Sequence, residues 1–429
     1  MRRSRLNFAI FLCSAVLLPA GARAQMPKTA KEKPGALSGE VVNAKGAPVA
    51  DAQILWQVSD GRIPHVLHSD AQGRFHIPNL HAGFYELRAS AGSAWSEWEH
   101  NVTVRPGAEV NVTLRLKFTP PPAPIAVELR GTMRTWEVPV PGAMPSDAAV
   151  DPKGNIWVAL QSTGQIARFN PDTKEWKLFK VPTPDSGTSG LVSDHLGNIW
   201  FTETDAGKIG KLDSETGAIS EFVSARAKDP RTPVIGPDGA LWFAAQQTNL
   251  VGRLDTDTGK FIEYSVPAQN ASPYGMITAS DGGIWFCELK TGKIGRVNPA
   301  TGAITEFTAP IPNVQPRRLV NVGDAIYFTD SNGGRLGRLN LADKTFKFWD
   351  SPSGASSEPA GITADTTGKI WYEEAAEKAN KLVRFNPAYG VFDTYPMPAQ
   401  NSAVRNITRD ARGHLWMPLS APNSILVVE

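Results

Sequence analysis

The residues best suited to ligand chemistry in this 429-residue chain are three arginines and a tyrosine at one position of a repeated sequence unit. Each lies eleven residues before a recurring aromatic residue, or ten in one shorter unit: Arg231, Tyr274, Arg317 and Arg405. A guanidinium group presents a planar fork of N–H donors that suits carboxylate or phosphate oxygens. If the fold gathers these positions, we expect them to bind a small polar ligand that is anionic or peptide-like.

Carboxylates recur at a second position, three residues after the same aromatic residue. Glu203, Glu288 and Asp330 are therefore further candidate ligand-binding residues. The alternative is that these acids pair with the arginines and only fill the mouth of a channel. Glu358 and Glu374 could supply oxygen ligands to Mg²⁺, which binds hard oxygen donors, or they could be solvated or paired with arginine.

The recurring aromatic residues indicate the architecture that must position these side chains. They are spaced 42 to 45 residues apart, at Trp157, Trp200, Trp242, Trp285, Tyr327, Trp371 and Trp416. A period of this length with frequent turns is typical of β-propeller blades. The repeat predicts seven blades, with the aromatic residues packed between neighbouring sheets. In such a ring, both polar positions fall on one face near the central channel.

One strand of the repeat is displaced along the chain. An outer-strand sequence such as ITEFTAP (304–310) closes the other units, but the last unit stops without one. A further copy, RTWEVPVP (134–141), comes before the first unit. We expect 134–139 to pair with the final blade and close the ring, because closure removes two exposed sheet edges.

The first 24 residues have the features of a signal peptide. They combine a basic start, an apolar run from Leu6 to Leu18 and the cleavage motif Ala22-Arg23-Ala24. This pattern predicts export, either to the periplasm or to the exterior.

The remainder divides by composition into four parts. Both predicted domains consist of β-strands, so we expect an all-β chain. Short strands between turns predict a small β-sandwich, and adjacent prolines stiffen a linker. The predicted boundaries are 1–24 for the signal peptide, 25–35 for a flexible lead, 36–118 for the sandwich, 119–133 for the proline-rich linker and 134–429 for the propeller.

Charge and cysteine content exclude several classes of protein. Removal of the signal peptide takes away four arginines and no acid, which turns a formal net charge of +2 into −2. Nothing in this balance indicates a nucleic-acid partner, and no apolar run reaches the roughly 18 residues of a membrane span. One cysteine, Cys287, remains, so an internal disulfide or a cysteine-based metal site is excluded. We expect a monomer.

Residues 36–118 resemble the carboxypeptidase regulatory-like (transthyretin-like) family. The matching segments are GEVVNAKGAPVADAQI (39–54), SDAQGRFHI (69–77) and NLHAGFYELRASAG (79–92). The resemblance implies a secreted accessory or adhesive β-sandwich without chemistry of its own.

Residues 134–429 resemble the streptogramin B lyase (virginiamycin B lyase) family. The resemblance is carried by units such as GNIWFTETDAGKIGKLDSETGAISEF (197–222) and GGIWFCELKTGKIGRVNPATGAITEF (282–307). It implies a seven-bladed propeller and a magnesium-assisted elimination at an ester bond of a cyclic depsipeptide antibiotic. It also implies a histidine where the innermost strand of the sixth blade begins. In the last blade it implies a Glu-Pro-His-Gly sequence and a glutamate four residues after the tryptophan.

The chain departs from the lyase pattern at each of these positions. Ala360 replaces the histidine of the sixth blade, Ala403 and Arg405 replace the glutamate and histidine of the last blade, and Ser420 replaces the second glutamate. An alignment that uses Glu358 as the glutamate also lacks both histidines. Elimination needs a base near the proton, and neither alanine nor protonated arginine provides one. The resemblance therefore implies a lost lyase centre and leaves open whether the protein is an enzyme.

Three functions remain as hypotheses. The first is an exported propeller that binds a ligand at the arginine-rich channel mouth. The second is an active metal-dependent lyase or hydrolase with a rearranged centre formed by Glu358, Glu374, Glu288 and Tyr274. The third is a scaffold that binds a protein partner at the cell surface or in the periplasm.

Overall fold

The computed structural model describes residues 33–43, 45–59, 65–91, 94–96, 99–116, 129–400 and 402–429. All regular elements in these ranges are β-strands. The predicted signal peptide, the lead up to residue 32, the last two residues of the predicted sandwich and linker residues 119–128 lie outside the described residues. Within the described ranges, no helix is long and apolar enough to cross a membrane.

The N-terminal strands form two sheets around one apolar core. The strands are β1 (Gly35–Val42), β2 (Gln53–Val58), β3 (His65–His68), β4 (Arg74–Leu80), β5 (Gly83–Ala91), β6 (Ala94–Trp95), β7 (Glu99–Val104) and β8 (Glu109–Arg115). One sheet has the order β4-β1-β8, and the other has the order β3-β2-β5-β6 with β7 also paired to β5. Leu37 and Leu114 from the first sheet and Ile54 and Leu87 from the second are fully buried together. This arrangement is that of a β-sandwich.

From residue 129 onward, the described chain forms seven four-stranded sheets. In chain order the strands are β9 (Met133–Glu137), β10 (Pro145–Val150), β11 (Ile156–Leu160), β12 (Gln165–Phe169), β13 (Trp176–Lys180), β14 (Thr188–Ser193), β15 (Ile199–Glu203), β16 (Lys208–Leu212), β17 (Ile219–Val223), β18 (Pro230–Ile235), β19 (Leu241–Ala245), β20 (Leu250–Leu254), β21 (Phe261–Ser265), β22 (Pro273–Thr278), β23 (Ile284–Glu288), β24 (Lys293–Val297), β25 (Ile304–Thr308), β26 (Pro316–Val322), β27 (Ala325–Asp330), β28 (Arg335–Asn340), β29 (Phe346–Asp350), β30 (Pro359–Ala364), β31 (Ile370–Glu374), β32 (Lys381–Asn386), β33 (Val391–Pro396), β34 (Thr408–Arg409), β35 (Leu415–Leu419) and β36 (Ser424–Val428). Six sheets each use four consecutive strands, beginning with β10-β11-β12-β13, and the last has the order β34-β35-β36-β9.

The first strands of successive sheets lie side by side. Strand β10 packs beside β14, and the series continues through β18, β22, β26 and β30 to β34. Strand β10 also packs beside β34 and β35 of the last sheet. The beginnings of these strands are therefore neighbours, although they are far apart in sequence.

Strand β9 occupies the outer position of the last sheet, where the sequence predicts it. It pairs antiparallel with β36, from Glu137 opposite Ser424 to Met133 opposite Val428. Trp136 of β9 stacks on Trp416 with ring centroids 5.5 Å apart. Its ring also lies 5.3 Å from that of Phe169 in the first sheet. Trp136 thus packs against both the first and the last sheet.

The tryptophans of the second strands are fixed by aspartates in the preceding turns. Trp157 Nε1 donates a hydrogen bond of 2.8 Å to Asp151 Oδ2, while Asp151 Oδ1 accepts the backbone N–H of Lys153. Equivalent tryptophan–aspartate bonds within the described chain fix Trp200, Trp242, Trp285, Trp371 and Trp416. A buried indole N–H is costly without a partner, so this bond fixes both the turn and the ring.

Glycines of the third strands lie beneath phenylalanine rings of the second strands. The cross-strand pairs are Phe201–Gly210, Phe243–Gly252, Phe286–Gly295 and Phe328–Gly337. A Cβ atom at Gly252 would lie 2.2 Å from the Phe243 ring. The first sheet instead pairs Val158 with Ala167. In these four sheets the phenylalanine ring fills the space that glycine leaves, whereas Tyr372 in another sheet lies opposite Val383.

Replacing Gly252 with alanine should destabilise the protein by about 1–3 kcal/mol, because overpacking strains a close-packed core. Adding Phe243→Val should recover part of this loss, since valine opposite alanine occurs at Val158 and Ala167. Chemical denaturation of the two single variants and the double variant measures the coupling. Losses that simply add in the double variant would contradict the steric explanation.

Candidate functional site

The predicted arginine and tyrosine positions lie at irregular points of the innermost strands. The pairing register shifts around Arg231 in β18, Tyr274 in β22 and Arg317 in β26. In a regular strand, consecutive side chains point to opposite faces, but a bulge redirects them. As a result, the guanidinium carbons of Arg317 and Arg318 both approach the Tyr274 ring, at 5.9 and 5.2 Å from its centroid.

All four predicted residues line one cavity of about 320 Å³. They reach it from different sheets: Arg231 from β18, Tyr274 from β22, Arg317 from β26 and Arg405 from the segment before β34. The cavity is completed by Gln246, Leu289, Gln315 and Ser331. The structure therefore brings together residues that lie up to 174 positions apart in the sequence.

Tyr274 lies at the centre of the positive charge. Burial alone would raise the pKa of this tyrosine, but the surrounding guanidinium groups of Arg318, Arg317, Arg231 and Arg405 lower it below the ordinary tyrosine value. Within the described chain, no hydrogen bond to another residue engages its hydroxyl group. The phenol oxygen is available to a ligand in the cavity.

Few acids balance the arginines of the cavity. Arg231 Nε lies 2.7 Å from Asp229 Oδ1, and Arg405 Nη1 donates to Gln161 Oε1 at 2.8 Å. Among the described residues, no carboxylate lies within ion-pair distance of Arg317 or Arg405. The cavity therefore carries an excess of positive charge.

Arg318 is a fourth arginine of this region that the sequence pattern did not single out. Its Nη1 donates to Thr232 Oγ1 at 2.8 Å and its Nε donates to the carbonyl oxygen of Arg405 at 2.9 Å. Its Nη2 lies 3.9 Å from Asp147 Oδ2. Only 8% of the side chain is exposed. Arg318 therefore links three other segments beneath the cavity and supports Arg405 directly.

A second, larger cavity of about 650 Å³ adjoins the first and shares Arg231 and Gln246 with it. Its remaining lining is almost entirely polar: Thr204, Asp205, Asp229, Gln247, Asn249, Asn270, Ser272 and Lys290. The amide and hydroxyl groups of this lining both donate and accept hydrogen bonds, and Asp205, Asp229 and Lys290 add charged groups of both signs. We call this larger cavity the amide vestibule.

The predicted carboxylates are placed differently from the expectation. Glu203, Glu288 and Asp330 are fully buried and do not line either cavity. Asp330 accepts a hydrogen bond of 2.9 Å from Arg335 Nε, and Glu288 accepts one of 2.5 Å from Thr291 Oγ1. All three lie where the second strand ends. Asp330 and Glu288 satisfy local donors, whereas neither carboxylate oxygen of Glu203 has a hydrogen-bond partner among the described residues. The ligand-facing position is one residue later, at Gln246, Leu289 and Ser331.

The pair predicted as metal ligands has separate environments. Glu374 is fully buried and accepts hydrogen bonds from the backbone and hydroxyl group of Ser353, whereas Glu358 is exposed. Across the described residues, no group of three or more His, Cys, Asp or Glu side chains is placed to hold a metal ion. Since Mg²⁺ can also bind through one or two carboxylates and water molecules, the predicted Mg²⁺ site at Glu358 and Glu374 stays a prediction.

Positions implied by the lyase resemblance also serve local structure. Ala360 is buried, and its carbonyl oxygen accepts a hydrogen bond from Thr329 Oγ1 at 2.8 Å. Ser420 Oγ donates to the carbonyl oxygen of Pro145 at 2.7 Å. Neither side chain provides a base for a proton on a carbon atom.

Glu373 is a buried acid near the cavity that the three-residue spacing missed. Burial raises its pKa to about 8, while the Val404 N–H and Arg317 act in the opposite direction. Its Oε2 accepts the Val404 N–H at 2.9 Å, and its Oε1 has no partner among the described residues. With such a pKa the side chain is mostly protonated at neutral pH, so it neutralises little of the charge on Arg317.

Glu203 should make the stability of the fold depend on pH. Burial, with a smaller contribution from Glu221, raises its pKa to about 7, so the folded state holds a proton that the unfolded chain releases near pH 4.5. Stability should therefore fall as pH rises from about 4.5 to 7. Replacing Glu203 with glutamine should flatten this dependence and stabilise the protein at pH 8 by on the order of 1 kcal/mol. Thermal unfolding of wild type and Glu203→Gln at pH 5.5 and pH 8 measures this difference in stability. The same pH dependence in both proteins would contradict the role of Glu203.

Comparison with known proteins places this chain in a family. The model of the virginiamycin B lyase family matches residues 125–232 and 223–429, and that of the carboxypeptidase regulatory-like domain matches residues 36–117. The chain therefore belongs to the virginiamycin B lyase family and carries a carboxypeptidase regulatory-like domain at its N-terminal end. No curated protein matches the chain.

Solved structures of lyases share the fold. A streptogramin B lyase structure is 27% identical with a TM-score of 0.65, over 70% of this chain and 97% of the other. Virginiamycin B lyase from Staphylococcus aureus is 26% identical with a TM-score of 0.65, over 70% and 99%. A catalytically inactive histidine-to-alanine variant of the S. aureus enzyme, solved with quinupristin, is 26% identical with a TM-score of 0.63, over 69% and 98%. These likenesses support an all-β, propeller-like architecture for the C-terminal part.

Proposed function

We propose that this protein is an exported propeller that binds a polar, anionic or peptide-like ligand in the cavity formed by Arg231, Tyr274, Arg317 and Arg405. The observation that carries the proposal is the excess of guanidinium groups around Tyr274, since Asp229 alone among the described residues forms a close ion pair with one of the lining arginines. Low-dielectric walls strengthen the attraction of such a cluster for an anion. The adjoining amide vestibule would bind the neutral part of the ligand.

The architecture that supports this site is a closed ring of seven blades. Two observations favour closure: β9 pairs with β36, and β10 packs beside β34 and β35 as it does beside β14. A closed ring holds the starts of the innermost strands at fixed distances, which a cavity shared by several sheets requires. The domain boundaries at 36–118 and 134–429 belong to the same proposal.

The lyase centre of the family is absent from this proposal. Ala360, Ala403 and Ser420 stand where the family implies acid–base residues, and none of them can exchange a proton at neutral pH. The signal-peptide pattern of residues 1–24 supports export to the periplasm or the exterior.

Thermal unfolding in citrate tests the proposal. Citrate is a polar carboxylate, and a ligand that binds only the folded state raises the unfolding temperature with concentration. We expect the rise in citrate, beyond that in sodium chloride of equal ionic strength, to be larger in wild type than in Arg317→Gln, because the general stabilisation by excluded anions acts on both proteins alike. An equal rise in the two proteins would contradict an anion site.

A further inference from the structure

The hydroxyl group of Tyr274 is the one acid–base group among the residues that line the smaller cavity, apart from the arginines. The cations around it are Arg231, Arg317, Arg318 and Arg405. Arg317 and Arg318 lie within 6 Å of its ring centroid and come from β26, the strand next to its own.

The acids near these arginines leave much of their charge uncompensated. Asp229 pairs with Arg231. Asp147 lies 3.9 Å from Arg318, and burial raises its pKa, against the effect of Arg318 and Asn406. Glu373, near Arg317, has a pKa of about 8. The negative charge of a Tyr274 phenolate is therefore stabilised by guanidinium groups on several sides.

We propose that Tyr274 is a general base that takes a proton from the carbon next to a ligand carboxylate held by Arg231, Arg317 and Arg405. This inference rests on the proposed function, because the arginines must first bind the anion. The lowered pKa of Tyr274 has the direction that a base requires. One bound carboxylate still leaves an excess of cations around the phenolate.

The chemistry selects a carboxylate among the common oxyanions. A carboxylate is attached to a carbon that can carry hydrogen, and ion pairing with arginine makes that C–H bond more acidic. In sulfate and phosphate esters, the atom bonded to the acid group is an oxygen, which carries no hydrogen that a base could remove. Arginine also stabilises the negative charge that develops on the carboxylate oxygens during proton removal.

The resulting reaction is an elimination that balances without a further reactant. The phenolate oxygen of Tyr274 forms an O–H bond as the C–H bond breaks. The electron pair forms a C=C bond, and a C–O bond on the neighbouring carbon breaks. The leaving oxygen departs with its electron pair and takes a proton from the Tyr274 hydroxyl, which restores the phenolate.

The amide vestibule indicates the rest of the substrate. Gln246, Gln247, Asn249 and Asn270 line it together with Thr204 and the charged residues Asp205, Asp229 and Lys290. Amide, hydroxyl and carboxylate groups all form hydrogen bonds with hydroxyl groups, so this lining suits a body rich in hydroxyl groups. A chain of uronic acids meets every condition: a carboxylate, a hydrogen on the adjacent carbon, an oxygen leaving group one carbon further and hydroxyl groups elsewhere. Polymers of uronic acids are therefore the proposed substrates.

An ultraviolet titration tests the base without any substrate. The difference spectrum between wild type and Tyr274→Phe should show one phenolate that forms below the ordinary tyrosine range of about 10. Tyr264→Phe is the matched control, because burial raises the pKa of Tyr264. A Tyr274 phenolate that forms no earlier than that of Tyr264 would overturn the inference.

Turnover of polygalacturonate and alginate tests the reaction. Wild type should produce the absorbance of a double bond conjugated to a carboxylate, with a rate that rises as Tyr274 ionises. Tyr274→Phe should lower this rate at least 100-fold, in line with the usual contribution of a general base, about 10²–10⁴, and Tyr264→Phe should retain it. Wild type that binds citrate but cleaves neither polymer, or equal rates in wild type and Tyr274→Phe, would overturn the inference alone. Wild type that does not bind citrate would overturn the proposed function itself.

Discussion

Citrate should bind at least tenfold more weakly when Arg317 is replaced by glutamine. The side chain loses its charge and its bidentate hydrogen bonding to carboxylate, and hydrogen bonds to charged groups contribute about 1.5–3 kcal/mol. Since every 1.4 kcal/mol is about tenfold in affinity, isothermal titration calorimetry resolves the loss. Arg317 has no carboxylate partner of its own among the described residues, so its removal leaves no buried acid unpaired.

Arg412→Gln is the matched control for this experiment. Arg412 is exposed and pairs with Asp172, and it does not line either cavity. Its replacement should leave citrate affinity unchanged. The affinity of wild type should also fall with added salt, because ions screen the attraction, and it should do so less steeply in Arg317→Gln. Equal losses in the two variants would show only a general effect of net charge.

Trp136→Ala should destabilise the protein by about 3 kcal/mol, towards the lower end of the range for large aromatic residues in cores. Trp136 is half-buried and packs on both Trp416 and Phe169. Its loss therefore removes packing contacts of β9 with both the last sheet and the first. Chemical denaturation measures the loss. A change below about 0.5 kcal/mol, which is typical of surface substitutions, would contradict a closing role for β9.

Phe222→Ala separates closure from ordinary packing. Phe222 holds the same outer-strand position and packs on Trp200 with centroids 5.7 Å apart, but its sheet is built from consecutive strands. Hydrogen exchange should increase in β36 for Trp136→Ala and in β16 for Phe222→Ala. Faster exchange of β36 in both variants would indicate a global effect instead.

The repeat made much of the fold predictable. The aromatic spacing marks the second strand of each sheet because each tryptophan needs a buried position and a partner for its N–H, which aspartates such as Asp194 provide. The displaced outer strand at 134–139 was predictable because the last unit lacks one, and β9 lies at Met133–Glu137. These features repeat, and repetition is visible in a single sequence.

The site was only half predictable. Equivalent positions identified Arg231, Tyr274, Arg317 and Arg405, which line one cavity. Arg318 was missed because side chains alternate between the two faces of a regular strand, which would point Arg318 away from the cavity. The register shift in β26 changes this direction, and it does not show in the sequence. The prediction that Glu203, Glu288 and Asp330 face the ligand has a similar weakness. The spacing could not show that the residue facing the cavity is the one that follows each of these positions.

A crystal structure of the protein grown with citrate would show directly whether the arginine cavity binds a carboxylate. We expect citrate in the smaller cavity, with carboxylate oxygens within hydrogen-bond distance of at least two of Arg231, Arg317 and Arg405. An empty cavity at saturating citrate, with the guanidinium groups bound to neighbouring side chains, would contradict it.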